Sequence, residues 1–157
     1  MPTRQPNAQQ CFVCGLANPF GLKLRFFQAS PGEVFANVII QEAYQGYPGI
    51  VHGGIVAAIL DEAAGRSQMY NDPERQERFM FTASMQIHYR KNVPTEQPLR
   101  LVGIAGKIKR RSAQARGEIY GPEGDLLAEA NLVLVDIPDS YTQATRMDPG
   151  GWRVYLE

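Results

Sequence analysis

The sequence predicts an α+β domain in which an antiparallel sheet wraps one long helix. Three observations carry this expectation. Residues Ile55 to Leu60 (IVAAIL) are apolar on every side, the mark of a helix with no solvent face. From Phe79 onward, four strand-like segments follow one another with turn signals between them. One further strand-like segment, Glu33 to Gln41, comes before the helix. Strands grouped around a single helix, rather than alternating with helices, describe an antiparallel sheet with that helix laid on it.

The elements follow in order. The opening MPTRQPNAQQ has no apolar core and is read as a loose segment of ten residues, with residues 11–157 forming one domain. Asn18 to Gly21 (NPFG) forms a turn, Leu22 to Phe27 alternates weakly as a strand, and Ser30-Pro31-Gly32 turns again. In Glu33 to Gln41, Val34, Ala36, Val38 and Ile40 share one face, which is the strand period. The helix follows a Gly/Pro-rich loop and ends near Tyr70, before Asn71-Asp72-Pro73. Glu74 to Arg78 is a charged, exposed connection. The later strands are Phe81 to Tyr89, Leu99 to Lys109, Ala113 to Tyr120 and Leu126 to Ile137, expected as a meander, with Gly121 to Gly124 as a hairpin turn. Ser140 to Glu157 has no clear pattern, and Trp152 and Tyr155 are its candidates for packing back on the sheet.

The bulk properties exclude several classes. A chain of 157 residues, 44% of them hydrophobic, has room for a core of its own. Sixteen basic residues balance sixteen acidic ones, so net charge gives no general pull toward nucleic acid or membrane. No apolar run of about 18 residues is present to span a bilayer. The expectation is a cytoplasmic protein. Its two cysteines, Cys11 and Cys14, form a CxxC, either a redox pair or half of a zinc site. Zinc sites take four ligands as a rule and this motif supplies two, so the reading adopted is two small residues in a turn, with no metal.

The chemistry concentrates in Gly46 to Arg66, GYPGIVHGGIVAAILDEAAGR. His52 is followed by Gly53 and Gly54 at the helix start, where bare N–H groups and the positive end of the helix dipole can meet a substrate. Asp61 lies two turns on, inside the apolar run, followed by Glu62. A carboxylate placed there is costly unless paired or used.

HGGIVAAILDEAAG, with its Gly53-to-Asp61 spacing, resembles the central-helix motif of hotdog-fold acyl-CoA thioesterases of the PaaI-like group. CFVCGLANPFGLKLRF resembles the opening of one subgroup. The resemblance covers roughly Cys11 to Ile137. It implies the hotdog fold, an acyl-CoA thioester as substrate with coenzyme A as part of that substrate, and no separate cofactor. It implies Asp61 as nucleophile or general base, with Glu62 beside it as the other candidate. The Gly53 and Gly54 amides serve as oxyanion donors, His52 orients the thioester or the turn, and Thr82 helps hold the attacking water. Many members carry Asn or Gln near Gly46; the glycine is a departure, and Gln45 is the candidate substitute. Arg90, Lys91, Lys109, Arg110 and Arg111 are candidates to hold the CoA phosphates. His88, placed on the face of Thr82 by the strand period, is read as structural.

Eight residues of helix separate Gly53 from Asp61 by about 12 Å. Groups acting on one carbonyl must come within about 3–3.5 Å of it. Two antiparallel copies meet that demand, so a homodimer is expected, with a dimer-of-dimers tetramer as the next level. Two other functions stay open: a hotdog dehydratase or hydratase, and a non-catalytic module that binds acyl thioesters.

Overall fold

The long helix forms where its glycines and apolar run place it. In this computed structural model, which describes residues 1–141, α1 spans Gly53–Gln68 and is capped by His52 at one end and Met69 at the other. Val56, Ile59, Leu60, Ala63 and Ala64 point into the core, each at most 1% exposed. Burying a side chain the size of Ile59 or Leu60 contributes about 1.5–3 kcal/mol.

The strands are β1 Thr3–Arg4, β2 Phe27–Ser30, β3 Glu33–Ile39, β4 Gln45–Tyr47, β5 Ile50–Val51, β6 Met80–Tyr89, β7 Pro98–Ile108, β8 Ser112–Tyr120 and β9 Leu126–Asp136. Seven of them form one antiparallel sheet in the order β1-β2-β3-β7-β8-β9-β6, and β4 pairs only with β5. This is the hotdog arrangement, a sheet curled around α1. Two glycines set how closely the helix lies on it. A Cβ on Gly103 of β7 would sit 1.9 Å from the Ala63 carbonyl oxygen, and one on Gly117 of β8 would sit 2.7 Å from that of Leu60. The helix backbone therefore rests directly on the two central strands. Leu101, Ala115, Leu132 and Leu134 close the core around it.

Several expectations are corrected. Leu22 to Phe27 is not a strand until Phe27: Lys23 has φ +54, and Leu22 and Leu24 donate to the carbonyls of Phe12 and Val13 instead of to a sheet neighbour. The first ten residues, read as loose, contribute β1 and bury Gln5, Asn7 and Ala8. Asn7 donates from Nδ2 to the carbonyls of Cys14 and Leu24 at 2.7 and 2.9 Å. The four late strands are not a simple meander: only β7-β8-β9 is, while β6 pairs with β9 and β7 with β3. Arg78 is 3% exposed, pinned by Asp136 at 2.7 Å, although the connection around it reads as exposed. Trp152 and Tyr155 lie outside the described residues.

The helix is also not covered on every side by its own chain. Gly53 and Gly54 are exposed, and Ile55, Ala57, Ala58, Asp61 and Gly65 are only half-buried. The sheet covers one side and leaves this stripe open, next to β6, whose far edge has no strand partner among the described residues.

Candidate active site

The helix start is built by His52. Its backbone is extended (φ −55°, ψ 135°), and its Nδ1 accepts the Gly54 N–H at 2.9 Å. This is an N-cap, satisfying one of the amides that a first helical turn leaves unpaired. An accepting Nδ1 carries no proton, so the neutral ring is protonated on Nε2. The His52 carbonyl takes the amides of Ile55 and Val56 at 2.9 and 3.0 Å. Of the two glycine amides expected as oxyanion donors, Gly54 is thus committed to the cap. The Gly53 amide has no acceptor among the described residues.

Tyr89, the last residue of β6, donates its hydroxyl to the Gly53 carbonyl at 2.9 Å. Sequence reading does not single it out. The available signal is its position at the end of the strand beside the helix. A cavity of about 410 Å³ opens here, lined by Gly46, Tyr47, His52, Gly53, Arg90 and Lys91 among others. At Gly46 a Cβ would come 3.2 Å from the Cα of His52, so a larger residue would crowd the cap. Gln45, the candidate substitute for the polar contact this glycine lacks, turns its Oε1 onto the Gly49 N–H of its own turn at 3.3 Å.

Asp61 lies on the open stripe of α1. Thr82 Oγ1 donates to its Oδ1 at 2.5 Å. Burial pushes the Asp61 carboxyl pKa up and the charge of Glu62 adds to this, while the Thr82 hydroxyl draws it partly back. Thr82 therefore orients the carboxylate itself. β6 reaches both Asp61 and Gly53 because it bulges: its register with β9 shifts between Thr82 and Ser84. Beyond the bulge it is Met85, Ile87 and Tyr89 that turn toward the helix side. His88 accordingly falls on the face opposite Thr82, which corrects the same-face expectation.

Glu62 points away from Asp61. It accepts Arg66 Nε at 2.8 Å and lies 3.8 Å from Cys11 Sγ, which places it under the N-terminal segment rather than in the cavity. The basic candidates divide between the two ends of β6. Arg90 and Lys91 sit at the Tyr89 end, paired with Glu129 at 2.8 Å and Asp125 at 2.9 Å. Lys109, Arg110 and Arg111 form the exposed β7–β8 turn at the Thr82 end, where Phe81 pairs with Val135 and Val135 with Ser112. There a cleft of about 810 Å³ is lined by Arg75, Arg78, Arg110, Arg111 and Asp136 among others. Arg75 and Arg78 donate to the carbonyls of Arg110 and Lys109, each at 3.1 Å, and hold that turn in place. One chain thus brings together His52, Gly53, Tyr89, Arg90 and Lys91 at one end of the helix, and Asp61, Thr82 and the basic turn toward the other.

Among the described residues, no helix is long and apolar enough to cross a membrane. Comparison with curated proteins gives no match. A crystal structure of a thioesterase superfamily protein is similar at 26% identity and a TM-score of 0.73, covering 82% of this chain. The chain spans 61% of that relative's length. The fold recurs in a variant of the phenylacetic acid degradation protein PaaI from Thermus thermophilus, at 20% identity and TM-score 0.62, covering 73% of this chain and 93% of that one. It recurs too in a hypothetical thioesterase protein from Streptococcus pneumoniae solved with coenzyme A, at 18% identity and TM-score 0.64, covering 73% and 85%. The family model described as Thioesterase superfamily matches residues 48–128, from the loop before His52 through Asp61, Thr82, Tyr89 and the basic turn, and the chain belongs to that superfamily.

Proposed function

We propose that the protein hydrolyses acyl-CoA thioesters at sites shared by two antiparallel copies of the chain. The observation that carries this reading is the Asp61 carboxylate, held by Thr82 on a helix stripe that its own chain leaves open. The Gly53 amide, without an acceptor among the described residues, lies at the start of the same helix. In an antiparallel pair, Gly53 of one copy comes opposite Asp61 of the other. The thioester oxygen then sits on the Gly53 N–H, where the developing oxyanion is stabilised. Asp61 takes a proton from water as the water oxygen attacks the carbonyl carbon, or attacks that carbon itself to form an anhydride that water opens. Either way the carbon–sulfur bond breaks, the thiolate of CoA leaves and gains a proton, and a free acid remains. The same pairing puts Arg90 and Lys91 of one copy beside Arg110 and Arg111 of the other, a basic rim for CoA phosphates. The Streptococcus relative solved with coenzyme A supports the choice of ligand.

Thiol release from a panel of acyl-CoAs, run on the native protein and on Asp61→Ala, tests the proposal. Turnover that is lost in a variant with unchanged folding and assembly supports it. Turnover that survives the substitution refutes the role of Asp61. No turnover on any acyl-CoA refutes hydrolysis of this substrate and favours a binding module.

A further inference from the structure

The N-terminal CFVCG turn takes no part in the proposed hydrolysis, yet its geometry is closely determined. Cys11 Sγ, Cys14 Sγ and a carboxylate oxygen of Glu62 all lie within 4.8 Å of one another. Both cysteines are free thiols, Cys14 fully buried and Cys11 half-buried. The turn closes through the Gly15 N–H on the Cys11 carbonyl at 2.7 Å, while the Cys14 N–H points at Cys11 Sγ at 3.4 Å. An amide aimed at sulfur favours the thiolate. A Cβ at Gly15 would lie 2.3 Å from the Cys11 carbonyl oxygen, so only glycine completes this turn.

Glu62 is oriented for the same point. Its Oε1 receives Arg66 Nε at 2.8 Å, which leaves Oε2 facing Cys11 Sγ at 3.8 Å. Arg66 is 2% exposed and is itself fixed by the Pro6 carbonyl at 2.9 Å. Around a tetrahedral zinc ion, with bonds of about 2.3 Å to sulfur and 2.0–2.2 Å to oxygen, two sulfurs stand about 3.8 Å apart and a sulfur and an oxygen about 3.5–3.7 Å. Cys11 Sγ and Glu62 Oε2, 3.8 Å apart, need only a small approach to reach it. The charges also close: two thiolates and one carboxylate against a dication and the Arg66 guanidinium leave a neutral buried site.

We propose that Cys11, Cys14 and Glu62 ligate one zinc ion, with water in the fourth position, and that the ion clips the N-terminal segment to α1 beside Asp61. Two thiolates select zinc over magnesium or calcium. Arg66 acts as the outer partner that fixes the ligating carboxylate. Metal ligation takes both cysteines as thiolates, so binding releases their thiol protons. Counting ligands along the sequence finds only half of this site because Glu62 is 51 positions from Cys11.

The test uses the full chain, reduced with a phosphine that does not bind metal. Elemental analysis after zinc reconstitution and dialysis is expected to give one zinc per chain. Cobalt(II) titrated into the metal-free protein is expected to give a near-ultraviolet thiolate-to-cobalt absorption that zinc abolishes. The paired substitution Cys11→Ser with Cys14→Ser should lose both signals, and Glu62→Gln should weaken zinc binding by about tenfold or more. Failure of the reduced native protein to take up zinc overturns the proposal, as does a cobalt spectrum without the thiolate band. Zinc retained by the paired cysteine variant overturns it as well. The cobalt spectrum needs no variant, so a substitution that fails to fold leaves the test intact.

Discussion

The Gly53 amide can be removed without breaking the helix that carries it. Gly53 is the first residue after the His52 cap, a position where proline is favoured because its N–H has no helical partner. His52, at φ −55° and ψ 135°, already has the backbone that precedes a proline. A Cβ at Gly53 would meet the Tyr89 ring at 3.7 Å, an ordinary contact. Gly53→Pro should therefore leave the melting temperature unchanged or raise it, by about 0.4–1 kcal/mol of stability. It deletes the proposed oxyanion donor, worth about 2.7–4 kcal/mol or roughly 10²–10³ in kcat. Asp61→Asn should cost about 10²–10⁴ in kcat while the amide oxygen still accepts from Thr82. Each variant alone is close to inactive in thiol release. Mixed, they distinguish one chain from two. In a mixed dimer, one site carries both lesions and the other has the native Gly53 and the native Asp61. Random assembly makes half the dimers mixed, each with one intact site of two, so about a quarter of native activity returns. Verified mixed dimers that show no more activity than the parents would refute the shared site, since groups serving within one chain leave every chain damaged.

Three further outcomes follow from single contacts. Thr82→Ala removes a hydrogen bond to a carboxylate and should lower kcat about tenfold or more, with no further loss in an Asp61→Asn background; additive losses would mean that the two act separately. Arg110→Ala with Arg111→Ala should raise KM several-fold for acyl-CoA and leave acyl-pantetheine, which lacks the nucleotide, unchanged; equal effects on both substrates would remove the phosphate role from this turn. Burial pushes the Asp136 carboxyl pKa up, but hydrogen bonds and charge from Arg78 and Arg75 outweigh it and hold it below its ordinary value. A lowered folded pKa means stability that is present above the ordinary carboxylate value and lost as pH falls through the lower one. Chemical denaturation between neutral and acid pH should therefore show Asp136→Asn less stable than the native chain at pH 7, with the two converging below about pH 4. A constant gap would show that Asp136 contributes no linked proton.

The parts of the molecule legible in the sequence are those fixed by local pattern. The helix and the later strands have periods and breakers that identify them, and their observed ends lie within a residue or two of the expected ones. Strand order is not legible, because β6 pairs with β9 across a long stretch of intervening chain and no local signal states a partner. The face of His88 is misjudged because a period of two runs only until a bulge, and Ala83 has nothing in its side chain that announces one. The same holds for the site. His-Gly-Gly and Asp61 stand out by type and spacing. The capture of the Gly54 amide by His52, the contact of Tyr89 with Gly53 and the turning of Gln45 onto its own loop depend on where distant backbone comes to rest.

The apolar helix is the most informative departure from expectation. IVAAIL requires burial on every side, and the chain itself leaves Ile55, Ala57 and Ala58 only half-buried. The uncovered stripe is not an isolated defect. It lies beside β6, which has a partner on one edge only among the described residues, and an unpaired edge invites another chain unless it is protected. β6 carries no proline or lysine between Met80 and Tyr89 to blunt that edge. A surface apolar enough to need covering, bordered by an open strand edge, and bearing the Asp61–Thr82 pair has the properties of half an active site. The proposed second copy answers all three at once. It covers the stripe, continues the sheet, and brings a Gly53 amide to the carboxylate about 12 Å away from the one in its own chain.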